Sequence, residues 1–210
     1  MLNQSNLDAV EAVQMLGECH PLLEQLGSAD GLFTLGGVAA SLRLPTVDSL
    51  EALARFLRAY QSQVLVPFEL TAIYRAHQHA LHDETRELLA LDREIAGQKN
   101  HRDFASASRR VGRSQLRRLR PLRDARIVQR YLQAVEDDQA QAWHTLIYGL
   151  TLAIYSLPLR QGLFSYARQT LNGFIRAAAR PLRLSVDECG ALLEEGCAGL
   201  PREMERIIRQ

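Results

Sequence analysis

The chain has 210 residues, with 25 basic side chains against 24 acidic ones and a formal net charge of +1. Its composition, 47% hydrophobic and 23% charged, excludes a disordered or fibrous protein and is sufficient for a sizeable core. No apolar run approaches the roughly 20 residues that span a bilayer, and the first residues lack the pattern of a signal peptide. Three widely spaced cysteines favour reduced thiols and a cytoplasmic protein.

The segment 27–37 is the first unusual stretch, because it contains four glycines in eleven residues. Glycine at this density destabilises a helix, by about 1 kcal/mol per residue relative to alanine. We therefore expect a loop and a helix start, where the backbone needs a positive φ or a close approach. A phosphate-binding loop is the sharper alternative, but the pattern GxxxxGK[ST] is absent and no lysine lies nearby.

The first clear helical pattern begins at residue 50, where apolar residues recur at spacings of three and four. Asp48 and Glu51 have the spacing of a capping box at its start. Pro67 should end or restart this helix, because proline lacks the N–H that a helix interior uses. The same apolar pattern then continues to about Leu81.

Three further helices are predicted in the middle of the chain. Asp83 should cap a helix that ends near Gly97, and Asp103 should open one whose interior residues are small. Small residues on one helix face allow a neighbouring backbone to approach closely. Pro121 then starts a segment that runs to about Val135.

The C-terminal third has the strongest helical signals. Residues 139–155 are apolar on most sides, which is typical of the central helix of a bundle. Pro158 should begin the next, long helix. Ser185 and Glu188 have the spacing of a second capping box, and Pro201 should start a short final helix.

Strand patterns are almost absent, because β-branched residues never alternate with polar ones over a useful length. The chain also lacks an internal repeat and a low-complexity linker. We therefore predict an all-α fold. It should be a single-domain multi-helix bundle over residues 1–210, with about eight to ten helices joined by short loops.

Residue patterns for catalysis or metal binding are weak. The chain has no HExxH, GxSxG or CxxC motif. On a helix, only His79 and His82 of three neighbouring histidines share a face, so a solvated polar face is the simpler interpretation. Cys189 and Cys197 are expected to be small buried hydrophobic residues. We expect no catalytic residue, no metal site and no cofactor in this chain.

His144 differs from the other histidines because it lies in the most apolar predicted helix. A histidine in such a place is most often a hydrogen-bonded core residue. The alternative is a helical enzyme that holds a cofactor between its helices, with His144 as an axial ligand or acid–base residue.

Four arginines are spaced four, four and three apart and form a basic stripe along one helix face: Arg109, Arg113, Arg117 and Arg120. Such a face could be solvated or paired internally, or it could contact carboxylates of a partner protein. Nucleic-acid phosphates are a third possible ligand. The interleaved aromatic residues that bind single strands are missing, so nucleic acid is the least favoured of the three.

Several short motifs follow one another in an informative order. They are a glycine–aromatic segment at 31–37 (GLFTLGG), a helix start at 47–53 (VDSLEAL), a Ser/Arg helix before glycine at 105–112 (ASASRRVG), a His-then-Gly helix at 144–149 (HTLIYG), a helix start at 157–159 (LPL) and a turn at 180–185 (RPLRLS). Tyr166 and Asn172 lie between the last two. In this order, and over about residues 22–193, the motifs resemble the UreF family of urease accessory proteins.

The resemblance implies an all-helical, homodimeric protein that is not an enzyme. Proteins of this family act with UreD (also called UreH) and the GTPase UreG to deliver nickel to the urease apoprotein. We therefore expect UreD/UreH, UreG and urease as partners, and neither a membrane nor nucleic acid. Nickel is expected to be handled by the complex and not bound tightly by this chain.

The positions that match the family's motifs are the expected partner contacts: Gly31, Phe33, Arg109, Gly112, Arg180, Leu182, Arg183 and Ser185. His144 and Gly149 should instead hold helices together. The chain departs from the family at residues 35–38, which lack the usual Gly-Leu-Glu ending, and at Arg183 and Leu184, which replace Gly and Gln. If these positions contact partners in the family, this chain is a diverged member with altered partners.

Overall fold

The computed structural model describes residues 35–97 and 105–209, and its regular structure is helical. In chain order the elements are α1 (Leu35–Ser41), α2 (Leu50–Tyr60), a π-helical segment (Gln61–Leu70), α3 (Thr71–Leu81), α4 (Thr85–Gly97), α5 (Ala105–Arg118), α6 (Arg126–Glu136), α7 (His144–Ile154), α8 (Leu159–Leu182), α9 (Val186–Ala198) and α10 (Leu200–Ile208). No strand occurs within the described ranges, which confirms the predicted all-α fold class. In the same ranges, no helix has both the length and the apolar character needed to cross a bilayer.

Helix α2, the π-helical segment and α3 follow one another without interruption and form a single rod. The prediction that Pro67 ends or restarts the helix is therefore wrong, since Pro67 lies inside the π-helical segment. A π turn joins residues five apart instead of four, which relieves the clash between a proline ring and the preceding turn. The helical structure thereby continues across the proline.

Helix α7 is the centre of the bundle, as its apolar sequence predicts, because its residues 144–153 are all buried. Gly149 lies against the backbone of α3, and a Cβ atom there would be 2.3 Å from the Ile73 carbonyl oxygen. Only glycine permits so close an approach. The expectation that Gly149 holds helices together is thus confirmed.

The start of α7 differs from the sequence prediction by five residues. The pattern suggested a helix from Gln139, whereas α7 begins at His144. Ala142 has a φ of 59°, outside the right-handed helical region. The Asp92 carboxylate accepts the backbone N–H groups of Gln141 (2.8 Å) and Ala142 (3.1 Å), which holds these residues in a turn.

Helix α8 has 24 residues, more than any other α-helix in the described ranges, and therefore extends for about 36 Å. Near its middle Tyr166 packs against Tyr148 of α7, with ring centroids 5.1 Å apart. Nearer its end Phe174 meets Phe56 and Tyr60 of α2 edge to face, at centroid distances of 5.0 and 4.9 Å. The C-terminal part of α8 thus packs against the first part of the rod.

The buried apolar side chains form two clusters. One draws mainly on α1, α2, the π-helical segment, α8, α9 and α10, with a few residues of α3 and α7, and the other draws on α3, α4, α6 and α7 and on the end of α5. Leu182 and Leu184, at the end of α8, pack partly buried against the first cluster, whereas Leu116 and Leu119, at the end of α5, belong to the second. These two ends of helices therefore rest on different parts of the core.

The helix starts predicted at residues 185 and 201 are confirmed, whereas α4 begins at Thr85, two residues after Asp83, and α6 begins at Arg126, five residues after Pro121. Ser185 and Glu188 form the expected capping box of α9, and Pro201 lies in the first turn of α10. At α2 the cap is Ser49 and not Asp48, because the Ser49 hydroxyl accepts the Ala52 N–H at 3.2 Å. Serine caps a helix as well as aspartate does, so the two neighbouring residues could not be separated by type alone.

Candidate functional site

The turn between α8 and α9 brings together four of the predicted contact residues: Arg180, Leu182, Arg183 and Ser185. Arg180, Arg183 and Ser185 are exposed, and Leu182 is half-buried. The turn continues into Val186, whose side chain is 88% exposed although it is apolar. We call these five residues the α8–α9 turn. It combines an exposed apolar side chain with two exposed arginines at the start of a helix.

Arg183 has an unusual backbone conformation within the α8–α9 turn. It ends α8 in the left-handed region, with φ 54° and ψ 41°. The Leu184 N–H then bonds to the Ala179 carbonyl at 2.9 Å, a common helix ending that usually has glycine at the left-handed position. A residue with a Cβ there costs about 1 kcal/mol relative to glycine. The replacement of glycine noted in the sequence therefore falls on a position where it strains the backbone.

Two other predicted contacts lie inside the bundle. The Arg109 guanidinium donates to Gln141 Oε1 at 2.9 Å and lies 5.8 Å from the centre of the Trp143 ring. Gly112 is buried, and a Cβ atom there would be 1.9 Å from the Ala142 carbonyl oxygen. Both residues thus contact the turn before α7. The remaining two, Gly31 and Phe33, lie outside the described residues.

The predicted arginine stripe on α5 is largely engaged within the chain. Besides Arg109, Arg113 approaches Asp138 at 3.8 Å, and Arg120 pairs with Glu136. Arg117 is exposed. Three of the four stripe residues therefore contact other parts of this chain.

His144 lies in the core, where it is 1% exposed. Its Nδ1 is 2.9 Å from Gln115 Oε1, which identifies Nδ1 as the protonated nitrogen because an amide oxygen only accepts. Burial lowers the pKa of His144 to about 4, so the ring is neutral at pH 7. The prediction of a hydrogen-bonded core histidine is confirmed.

Glu69, which the sequence analysis missed, is a buried acid in the π-helical segment. It is 4% exposed, and the Tyr60 hydroxyl donates to its Oε2 at 2.8 Å. Burial raises the pKa of Glu69 to about 7, although the hydroxyl groups of Tyr60 and Tyr166 act in the opposite direction. The available signal was its position four residues after Leu65, on the apolar side of the rod.

Comparison with known proteins supplies the family. A protein-family model named UreF matches residues 47–195, more than half of the chain. The chain belongs to the UreF family. It is similar to the urease accessory protein UreF of Ureaplasma urealyticum serovar 10 (strain ATCC 33699 / Western), with 21% identity over 184 residues, which are 88% of this chain and 75% of that protein. The molecule is therefore a urease accessory protein of the UreF type.

The region that matches the UreF model contains the α8–α9 turn, Glu69 and the core around α7. It also contains Asp92, a second buried acid that the sequence analysis missed. Besides the two backbone groups before α7, Asp92 accepts the Tyr131 hydroxyl at 2.5 Å, and burial raises its pKa. In this UreF-family chain Asp92 therefore ties α4, α6 and the start of α7 together.

The histidines and cysteines in the described part of this UreF-family chain are dispersed. His77 is buried, His79 Nδ1 lies 2.8 Å from Glu84, and His82 Nδ1 lies 2.9 Å from the Gln78 carbonyl oxygen. Cys197 is buried, which raises the pKa of its thiol to about 11. Within the described ranges, His, Cys, Asp and Glu side chains do not gather in groups of three or more that could hold a metal ion.

Proposed function

We propose that this protein is a non-catalytic adaptor in nickel delivery to urease. It would join UreD/UreH and the GTPase UreG in one assembly with the urease apoprotein, as a homodimer that does not hold nickel tightly itself. The observation that carries this proposal is the match of the UreF family model to residues 47–195. The order of motifs along the chain is consistent with it.

The α8–α9 turn is the surface that we assign to one of these partners. Val186 is apolar and 88% exposed, so its burial by a partner would be favourable. The two exposed arginines of the same turn, Arg180 and Arg183, can pair with carboxylates of the partner. Arg183 supports the assignment because its left-handed conformation is strained, and strain of this kind is often retained at functional sites.

The adaptor would act by differential binding. An adaptor changes the state of a GTPase only if it binds one nucleotide state of that GTPase more tightly than the other. The buried groups of this chain support such a passive role. His144 and Asp92 have hydrogen-bond partners within the chain and serve to fix helices.

A pull-down from cells that co-express the urease operon tests the proposal. Tagged wild-type protein should retain UreD/UreH and UreG, and absence of both from the bound fraction would remove the proposal. Val186→Asp should reduce retention of one partner about tenfold or more, because it places a charge at the centre of the contact. An aspartate in the first turn of α9 is favourable to the helix dipole, so the fold should not suffer.

Two further variants separate binding from folding. Tyr155→Asp is the control, because it introduces the same charge at a residue that is 48% exposed and lies before α8, about 36 Å from the α8–α9 turn. It should leave the retention of both partners unchanged. Arg183→Gly should raise the melting temperature, since glycine accepts φ 54° without strain, yet weaken the same partner. If Val186→Asp and Tyr155→Asp behave alike, the α8–α9 turn is not a docking surface.

A further inference from the structure

The turn between α5 and α6 carries a second charged surface. Besides Arg120, which pairs with Glu136, four exposed arginines lie within ten residues of the chain: Arg117, Arg118, Arg123 and Arg126. We call them the arginine corner. Within the described residues none of the four forms an ion pair, whereas the neighbouring Arg113, Arg120 and Arg130 pair with acids of this chain.

The backbone that carries the arginine corner is well supported. Leu116 and Leu119 are buried beneath it, at 0% and 5% exposure. The Gln129 side-chain amide donates to the carbonyl oxygens of Arg120 at 3.1 Å and Leu122 at 3.0 Å, which ties the turn to α6. The four side chains therefore project from a rigid base, which lowers the entropy cost of binding.

Helix stability does not account for all of this charge. Arg117 and Arg118 lie in the last turn of α5, where a cation stabilises the helix dipole. Arg126 is the first residue of α6, whose first turn has no acid, and a cation at this end opposes the dipole. Asp124 is the single acid within the segment 117–126. The stability of α6 therefore does not explain the cation at position 126.

We propose that the arginine corner docks a carboxylate-rich surface of a partner protein. This inference rests on the proposed function, because an adaptor that joins two proteins needs two separate surfaces. The corner lies over the second core cluster, whereas the α8–α9 turn packs on the first. All four cations are arginines, whose planar guanidinium groups pair bidentately with carboxylates.

A protein partner fits the surroundings of the corner better than nucleic acid. The corner is bordered by acids, since Asp124 lies inside it and Glu136 and Asp138 pair with its neighbours. A phosphate backbone carries an unbroken row of negative charge, which these acids would repel. A protein surface can place its own basic groups opposite them.

The test compares two double charge reversals in the tagged full chain, co-expressed with the accessory proteins and the urease apoprotein. Arg123→Glu with Arg126→Glu should reduce retention of one partner about tenfold, while the partner that needs Val186 stays bound. The matched control is Arg168→Glu with Arg202→Glu, two exposed arginines on α8 and α10, and it should retain both partners. Wild-type retention of the affected partner should also fall as sodium chloride is raised.

Loss of folding should not explain this result, because a glutamate at position 126 interacts favourably with the dipole of α6. The single variant Arg126→Glu is the control for folding, and its melting temperature should be no lower than that of wild type. Equal retention by wild type and the Arg123→Glu/Arg126→Glu variant would overturn the inference but leave the adaptor function intact. Failure of wild type to retain any partner would overturn both. Binding of a duplex DNA oligonucleotide by wild type, lost in the Arg123→Glu/Arg126→Glu variant, would reassign the corner to nucleic acid.

Discussion

Replacing Glu69 by glutamine should stabilise the protein above pH 7 and have no such effect below pH 4.5. Burial raises the pKa of Glu69 from its ordinary value of 4.5 to about 7. Between these values the folded state holds a proton that the unfolded chain has released, so stability falls as pH rises. One pKa unit corresponds to about 1.4 kcal/mol. Above pH 7 the ionised carboxylate therefore lowers the free energy of unfolding by about 3 kcal/mol.

Glutamine is the matched replacement because it keeps the shape of the side chain and cannot ionise. Its amide oxygen can accept the Tyr60 hydroxyl, as Glu69 Oε2 does at 2.8 Å. The Tyr166 hydroxyl, which interacts with the Glu69 side chain, has an oxygen that can accept an amide hydrogen. We therefore expect the amide to fit without a new buried donor left unpaired.

His144 affects the pH dependence in the opposite direction. Burial lowers the pKa of His144 from 6.5 to about 4. Between these pH values the unfolded chain holds a proton that the folded state does not, so stability is lost as pH falls. This contribution is the same in wild type and in Glu69→Gln. Only the difference between the two proteins therefore reports on Glu69.

The assay is urea unfolding followed by circular dichroism, at a series of pH values from below 4.5 to above 7. The stability difference between Glu69→Gln and wild type should rise along this series by about 3 kcal/mol in favour of the variant. Glu51→Gln, at an exposed position of α2, is the control and should show no comparable rise. A difference that stays constant with pH would refute the assignment of Glu69 as a buried, largely protonated acid.

Two further predictions concern packing and helix capping, and both are checked by urea unfolding. Gly149→Ala would place a Cβ atom 2.3 Å from the Ile73 carbonyl oxygen and should lower the free energy of unfolding by about 1–3 kcal/mol. Its control, Gly190→Ala, places a Cβ atom in open space and should raise the free energy of unfolding by about 1 kcal/mol. Equal effects of the two substitutions would contradict the close approach of α7 and α3. Ser49→Ala should lower the free energy of unfolding by about 1 kcal/mol and Asp48→Ala by much less, because the Ser49 hydroxyl caps α2. A larger loss of stability in Asp48→Ala than in Ser49→Ala would identify Asp48 as the cap.

The amino-acid sequence was sufficient to predict the helices and several of their ends. Spacings of three and four determine which side of a helix is apolar, and this is a property of each helix alone. The capping box at Ser185 and the proline at the start of α10 are equally local, because their partners lie within one helical turn. The family was accessible for a similar reason, since its motifs are short segments in a fixed order.

Only the tertiary structure decided which polar side chains are covered. Arg109 and Arg117 belong to the same predicted stripe, yet Arg109 meets Gln141, 32 residues away, while Arg117 stays exposed. Asp92 reaches backbone groups 49 and 50 residues further along the chain. Helical periodicity gives the direction of a side chain around its own axis but not the neighbour that packs there. The burial of Glu69 and the strain at Arg183 therefore emerge only when the helices are assembled.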